Sequence, residues 1–220
     1  MTVPRPFAAV VAVLLLAGCS SPKAAEPQTK PIEEPPSSPA SAAASQGGGS
    51  YALGQTFTLA WKEAEATDQP EDVNVTITAT KFECGPGAEA LLKAGKEYYK
   101  TSYGESSDAK ADSGYTLCVA SLKISNTGKK KIQHDPVLQA VDTAGAEYDS
   151  DDKLTAVIAD PITHKNREAF GGASVSINPR ETAVTAIAFQ IPSDTKVGQL
   201  RYVGGGSVYS EPSVALIQVG

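Results

Sequence analysis

The stretch SVSINPRETAVTAIAFQIP, residues 174–192, carries the clearest β-hairpin pattern in the chain. Val175 and Ile177 share one parity before a turn signal, NPRE at 178–181. After the turn, apolar side chains again recur at every second position: Ile187, Phe189 and Ile191. Alternation with a period of two is typical of a strand with one buried face. The stretch therefore predicts two antiparallel strands joined by a tight turn.

The same alternation appears in two earlier segments. At 73–80, Val, Ile and Ala alternate with Asn and Thr, and the phase changes near Lys81, where a bulge or a strand end would explain the shift. Residues 118–124 form a second such segment, which ends at the turn signal Asn-Thr-Gly at 126–128. About six to eight short strands separated by turns predict an all-β chain over 51–220, folded as an antiparallel β-sandwich.

One segment inside this pattern has helical spacing. From Pro86 to Lys100 the apolar residues recur every three or four positions, although Gly95 disfavours a helix by about 1 kcal/mol relative to Ala. We therefore predict a helical insertion at 85–114 on an otherwise self-sufficient sandwich. Tyrosine supplies a large contact area at low entropic cost, so its three tyrosines are candidate interaction residues: Tyr98, Tyr99 and Tyr103. The alternative is that they pack the insertion onto the sheet.

The N-terminus has the pattern of an export signal followed by a tether. An apolar run of 11 residues, Phe7–Ala17, is too short to span a bilayer and leads into Cys19. The segment Leu-Ala-Gly-Cys at 16–19 resembles the lipobox of bacterial lipoproteins, whose cysteine receives a diacylglyceryl group. We predict a signal peptide at 1–18 and a lipidated Cys19 that anchors the chain on the extracytoplasmic face of the cell membrane. An ordinary secretory signal is the alternative.

The segment that follows, 20–50, is dominated by Ser, Ala, Pro and Gly and is predicted to be a disordered tether. Lipidation of Cys19 leaves two further cysteines, Cys84 and Cys118. Two thiols in an exported, oxidising compartment most simply pair with each other, so we predict a disulfide that closes the base of the insertion. The alternative is two reduced cysteines that are buried separately.

Composition and charge disfavour several classes of protein. The chain has 220 residues and a net charge of −6, which argues against a nucleic-acid binder. Its only methionine is Met1, so the mature chain offers no thioether ligand for Cu(I). No convincing nucleophile motif is present, and His134 and His164 are predicted to be surface or capping residues rather than bases. We therefore expect a protein without enzymatic activity and without a cofactor.

An acidic cluster around a predicted turn is the one weak candidate for a metal site: Glu147, Asp149, Asp151 and Asp152. Carboxylate oxygens at this spacing suit Ca²⁺, but the loop lacks the Asp-x-Asp-x-Asp-Gly arrangement with a distal glutamate. A solvated turn without a metal is the preferred interpretation.

The order of these motifs resembles the immunoglobulin-like family catalogued as domain of unknown function 4352. The motifs are the strand that enters the Asn-Thr-Gly turn at 126–128, an Asp-x-x-Gly turn before Tyr148, and an Asn-Pro turn before a strand that ends in Ile-Pro at 191–192. The resemblance implies an immunoglobulin-like sandwich in the cell envelope of Gram-positive bacteria, with no established enzymatic activity.

Together with the N-terminus, this resemblance predicts a lipoprotein that presents an interaction module to a protein or cell-wall partner. The alternative is a carrier or sensor of a small ligand or ion, such as a lipid or Ca²⁺. A large apolar cavity between the sheets would favour the carrier. A filled core with an exposed aromatic patch would favour the interaction module.

Overall fold

The structure, a computed structural model, describes residues 49–63, 71–163, 173–204 and 213–220. The strands in these ranges are β1 (Gly49–Ala52), β2 (Thr56–Glu63), β3 (Glu71–Cys84), β4 (Tyr115–Asn126), β5 (Ile132–His134), β6 (Val137–Asp142), β7 (Glu147–Asp149), β8 (Val175–Ile177), β9 (Thr182–Pro192), β10 (Val197–Gly204) and β11 (Ser213–Gln218). The helices are α1 (Pro86–Tyr103) and α2 (Asp152–Thr163). In the described ranges, neither helix is long and apolar enough to cross a membrane. The predicted signal peptide, Cys19 and most of the tether lie outside the described residues.

Two sheets form the sandwich. The first has the strand order β1-β11-β10-β6-β7, the second has the order β2-β3-β4-β9, and β5 pairs with β8 separately. Among the described strands, β1 runs parallel to β11 and the other pairs are antiparallel. The predicted immunoglobulin-like sandwich with a helical insertion is confirmed. Strand β1 pairs with β11 from Gly49 onward, so the last two residues of the segment predicted as tether belong to a strand.

The first core lies between the two sheets. Alternation along the strands turns large side chains inward, and the buried cluster includes Ile77 of β3, Leu122 of β4 and Phe189 of β9. Leu200 and Tyr202 of β10 belong to the same cluster, and neither exposes any of its surface. Burial of apolar area at about 25 cal/mol per Å² makes this cluster the main source of stability for the sandwich.

The second core lies on the opposite face of the four-stranded sheet, beneath both helices. Leu117 and Val119 of β4 form a buried cluster there with Leu92 of α1 and with Leu154 and Ile158 of α2. This packing argues against the expectation that the sandwich is self-sufficient without 85–114, which the deletion described below tests. Removal of α1 would expose an apolar sheet face to water, so the insertion is a third layer of the fold.

Helix α2 is absent from the expectations drawn from the sequence. The acidic residues before it indicate a solvated turn, and Pro161 lies inside the helix. Its N-terminus nevertheless has a cap, because the backbone N–H of Leu154 donates to Asp151 Oδ1 at 2.9 Å. Leu154, Val157 and Ile158 follow at helical spacing and are buried. This cap and this spacing are the signals that could have predicted the helix.

The hairpin predicted from the opening stretch has the expected turn but the wrong strand pairing. The N–H of Glu181 donates to the Asn178 carbonyl at 3.1 Å and closes the turn. However, β8 pairs with β5, and β9 pairs with β4. Buried Asn126 lies where β8 and β9 separate. Its side chain donates to the Ile177 carbonyl at 3.0 Å, and its backbone N–H donates to the Glu181 carbonyl at 3.0 Å.

Two other local expectations are confirmed. The register of β3 against β4 shifts between Ala79 and Lys81, which is the predicted bulge. The Asp-x-x-Gly turn is built on Asp142, whose Oδ1 accepts the N–H of Ala146 at 2.9 Å and whose Oδ2 accepts the Tyr148 hydroxyl at 3.1 Å. Such hydrogen bonds, led by the one from Ala146, hold the pKa of Asp142 below its usual value. They also explain why this turn is followed by a tyrosine.

Candidate functional site

The three candidate tyrosines form a cluster at the C-terminal end of α1. Ring centroids are 6.2 Å apart for Tyr98 and Tyr103 and 5.2 Å apart for Tyr99 and Tyr103, both in edge-to-face arrangements. The helix ends directly after them at Gly104, which has a φ of 71° and donates its N–H to the Lys100 carbonyl at 3.1 Å. Tyr99 packs against the second core, whereas Tyr103 is 48% exposed. The tyrosine cluster therefore both anchors the insertion and faces solvent.

Asp160 of α2 lies beside the exposed member of this cluster. The Asp160 carboxylate, which is largely buried, lies beside the Tyr103 hydroxyl. Partial desolvation, followed by the interaction with the Asp160 carboxylate, raises the pKa of Tyr103 to about 12. Desolvation, followed by the charge of Asp160, also raises the pKa of Tyr99. Both phenols therefore stay protonated at neutral pH.

The two helices reach this geometry because α1 has no side chain where it crosses α2. Gly95 is buried, and a Cβ at this position would overlap the backbone carbonyl of Val157. The glycine that weakens the helix signal thus permits two backbones to approach closely. Asp160 comes three residues after Val157 and so lies on nearly the same side of α2. Gly95 and Asp160 are the two residues of this site that the sequence analysis missed.

A disulfide fastens the start of α1 to the sheet. Cys84 and Cys118 are joined by an S–S bond of 2.03 Å and face each other in the β3–β4 ladder. Helix α1 begins two residues after Cys84, with Pro86 in its first turn. The bond therefore stands at the base of the insertion, where the sequence predicts it.

The four acidic candidates for a metal site do not converge. Three of them are held by different neighbours: Arg201 bonds Glu147 at 3.0 Å, Gln139 bonds Asp149 at 2.8 Å, and Gln190 bonds Asp151 at 2.7 Å. The fourth, Asp152, lies in the first turn of α2. Within the described ranges, no group of three or more His, Cys, Asp or Glu residues is arranged to hold a metal ion.

A pocket of about 500 Å³ opens between the first turns of α2, the β5–β6 connection and the start of β8. Its polar lining residues come from separate parts of the chain: Gln133, Asp135, Ser150, Asp152, Thr155 and Ser174. Val137 and Ile187 are among its apolar lining residues. This polar pocket could not be predicted, because only the tertiary fold brings these segments together.

His134 is buried beside the first core, which corrects the expectation of a surface or capping residue. Its ring shares a hydrogen bond with the Tyr202 hydroxyl and stacks on the tyrosine ring at a centroid distance of 6.1 Å. Burial lowers the pKa of His134 to about 4 and raises the pKa of Tyr202 well above its ordinary value. The imidazole is therefore neutral at pH 7. His164 lies outside the described residues.

The chain is similar to one protein family and to several solved structures. The family model of the domain of unknown function DUF4352 matches residues 69–214. No curated protein matches the chain at a significant level. An uncharacterised β-sandwich protein from Clostridium difficile is 13% identical, with a TM-score of 0.39 over 79% of this chain and 96% of that one.

Two other solved structures are similar at the same low level. The secreted protein MPT63 of Mycobacterium tuberculosis is 11% identical, with a TM-score of 0.36 over 80% of this chain and 100% of that one. The candidate lipoprotein YcdA of Bacillus subtilis is 11% identical, with a TM-score of 0.37 over 66% of this chain and 36% of that one.

Proposed function

We propose that this chain, which belongs to the family of the domain of unknown function DUF4352, is a membrane-anchored extracytoplasmic lipoprotein that binds a protein or cell-wall partner and catalyses no reaction. The tyrosine cluster is the observation that carries the proposal. Its exposed ring, Tyr103, lies at the end of a helix, and its hydroxyl lies beside buried Asp160. Aromatic side chains of this kind are enriched in interfaces.

The setting of the cluster supports a role in binding. Helix α1 lies on its own buried core, and its start is tied to the sheet by the Cys84–Cys118 bond. A binding residue that is already ordered loses little conformational entropy when a partner docks. Tyr103 meets this condition, because its neighbours Tyr98 and Tyr99 contact its ring and Asp160 lies beside its hydroxyl.

The alternative, a carrier of a lipid or of Ca²⁺, has less support. Large side chains such as Phe189 and Tyr202 occupy the space between the sheets, where an apolar ligand would need a cavity. The polar pocket lies instead at the side of the sandwich, and its lining includes two carboxylates. Three of the four acidic residues considered for Ca²⁺ are bound to separate protein groups.

The anchoring part of the proposal rests on Cys19, which follows an apolar run and the segment Leu-Ala-Gly. Acyl chains stabilise membrane attachment by about 0.8 kcal/mol for each buried methylene. We expect Cys19→Ser to move the protein from the membrane fraction to the soluble extracytoplasmic fraction. A substituted protein that is processed normally and remains in the membrane would contradict lipid anchoring.

The binding part is tested by placing a photo-crosslinking benzoylphenylalanine at Tyr103 in cells that natively produce the protein. The matched control places the same group at Tyr115, which is 46% exposed but belongs to β4. We expect a discrete crosslinked product from position 103 and none from position 115. Identical products from both positions, or a product from 115 alone, would argue against the tyrosine cluster as the binding surface.

A further inference from the structure

The polar pocket has a buried floor and an open rim. Thr155, Ser174 and Ile187 line it and are buried, so they belong to the floor. Asp135 and Asp152 also line it but are exposed, so they belong to the rim. Its volume of about 500 Å³ falls within the range of about 300–1,000 Å³ that is typical of small-molecule sites.

Ser174 is the floor residue that points to a ligand. It is 9% exposed and lines the pocket, and within the described residues its hydroxyl has no hydrogen-bond partner. Thr155 differs, because its Oγ1 accepts the N–H of Ala188 at 2.9 Å. The Ser174 hydroxyl is therefore available for a hydrogen bond to a polar group of a molecule bound in the pocket.

The charge of the lining selects the kind of ligand. Among the described residues that line the pocket, Asp135 and Asp152 are the charged ones, and none is Lys, Arg or His. Lys153 lies next to Asp152 in sequence but bonds Asp108 at 2.7 Å. From these described residues an anion would meet only like charge, and a neutral ligand would desolvate two carboxylates without compensation. A cation removes both difficulties.

We propose that the polar pocket binds a small organic cation. Its ammonium group lies at the rim between Asp135 and Asp152, and a hydroxyl group reaches Ser174 at the floor. Val137 and Ile187 provide apolar contacts for the carbon skeleton between these two ends. This site is separate from the tyrosine cluster, so the inference does not depend on the binding surface proposed above.

The test is calorimetric titration of the purified full chain with two matched probes. One is the β-1,4-linked disaccharide of glucosamine, which carries two ammonium groups and several hydroxyls. The other is its N,N′-diacetyl counterpart, which has a similar skeleton but no charge. We expect saturable one-to-one binding of the amine, and binding of the acetylated form that is weaker by about tenfold or more, since charge-assisted hydrogen bonds are lost.

Variants place the bound cation in the pocket. Asp135→Asn and Asp152→Asn are each expected to weaken amine binding about tenfold, and Ser174→Ala is expected to weaken it by a smaller factor. Asp194→Asn makes the same charge change outside the pocket and should leave the affinity unchanged. Thermal melts of each variant establish that the fold is retained.

Four results would overturn the proposal: no saturable binding of the amine, equal affinity for the acetylated probe, equal weakening by Asp194→Asn, or no weakening in either rim variant. None of them bears on the crosslinking experiment at Tyr103, so the two proposals fail independently.

Discussion

The two faces of β4 pack into cores of different construction. Leu122 and Ile124 point into the first core, where they meet other large side chains of facing strands. Leu117 and Val119 point the other way, toward both helices. Their surroundings include several residues with little or no side chain: Ala88, Gly95, Ala186 and Ala188. The first core is filled by bulky side chains, whereas the second depends on the close approach of backbones.

This difference shows why one face of a strand can be recognised in a sequence while the other is overlooked. Bulky side chains at every second position mark the first core. Small residues allow helices and sheet to approach, but they also occur in loops and on surfaces, so they carry no comparable pattern. The insertion consequently looks like an addition, although it covers an apolar sheet face.

Replacing 85–114 by a short Gly/Ser link between Cys84 and Tyr115 is expected to have the largest effect. Leu117 and Val119 would become exposed, and the domain should lose its cooperative thermal transition in circular dichroism. Deletion of 20–45 serves as the control and should leave the transition unchanged, because that segment is too polar to bury a core. A cooperative melt without the insertion would show that the first core suffices.

Leu122→Ala and Leu117→Ala compare the two cores within one strand, since both leucines are almost fully buried. Each substitution is expected to reduce the free energy of unfolding by about 2–5 kcal/mol, measured by urea denaturation. If the helices formed only a peripheral layer, Leu117→Ala would instead change the free energy of unfolding very little. If Leu117→Ala lowers the free energy of unfolding by less than about 1 kcal/mol while Leu122→Ala lowers it by the expected amount, the second core does not contribute to stability as proposed.

His134 makes the first core sensitive to acid. Its pKa of about 4 in the folded state lies below the ordinary 6.5, so protons bind more tightly to the unfolded chain. The stability that the neutral His134 side chain contributes is fully present above pH 6.5 and is lost as the pH falls toward 4. We expect wild-type protein to lose about 2 kcal/mol more than His134→Gln between pH 7.5 and 5. Parallel stability curves for the two proteins would exclude this coupling.

Gly95→Ala tests the backbone contact in the second core. Alanine favours a helix by about 1 kcal/mol over glycine, yet its Cβ would overlap the Val157 carbonyl. We expect a net loss of about 1–3 kcal/mol in the free energy of unfolding. The control Ala94→Gly changes a residue on the exposed side of α1. It should lower the free energy of unfolding only by the difference in helix propensity between alanine and glycine, about 1 kcal/mol. A Gly95→Ala protein more stable than wild type would mean that α1 and α2 do not meet there.

Local signals predicted much of the sandwich. Alternation marked β3, β4 and β9, and the turns at 126–128 and 142–145 lie where side chains such as that of Asp142 bond their own backbone. The bulge near Lys81 and helix α1 were also expected. These features follow from a few neighbouring residues, so they are visible without the fold.

Features that depend on distant neighbours were missed or misassigned. The turn at 178–181 was predicted correctly. However, β8 and β9 pair in different sheets, with Asn126 bonded at the point where they separate, and no local pattern indicates this. Helix α2 was hidden by an acidic N-terminus and by Pro161. The burial of His134 depends on β5 lying against Tyr202, which is 68 residues away.

The sequence by itself determined the sandwich, the tyrosines of the insertion and the pair of cysteines beneath it, because side-chain period, turn chemistry and residue type act locally. Tertiary structure alone decided that Gly95 lets α1 approach α2, that Asp160 lies beside Tyr103, and that Ser174 lies in one pocket with two carboxylates. These relations join segments far apart in the chain. Their energies depend on distances of a few ångströms, which only the packed fold defines.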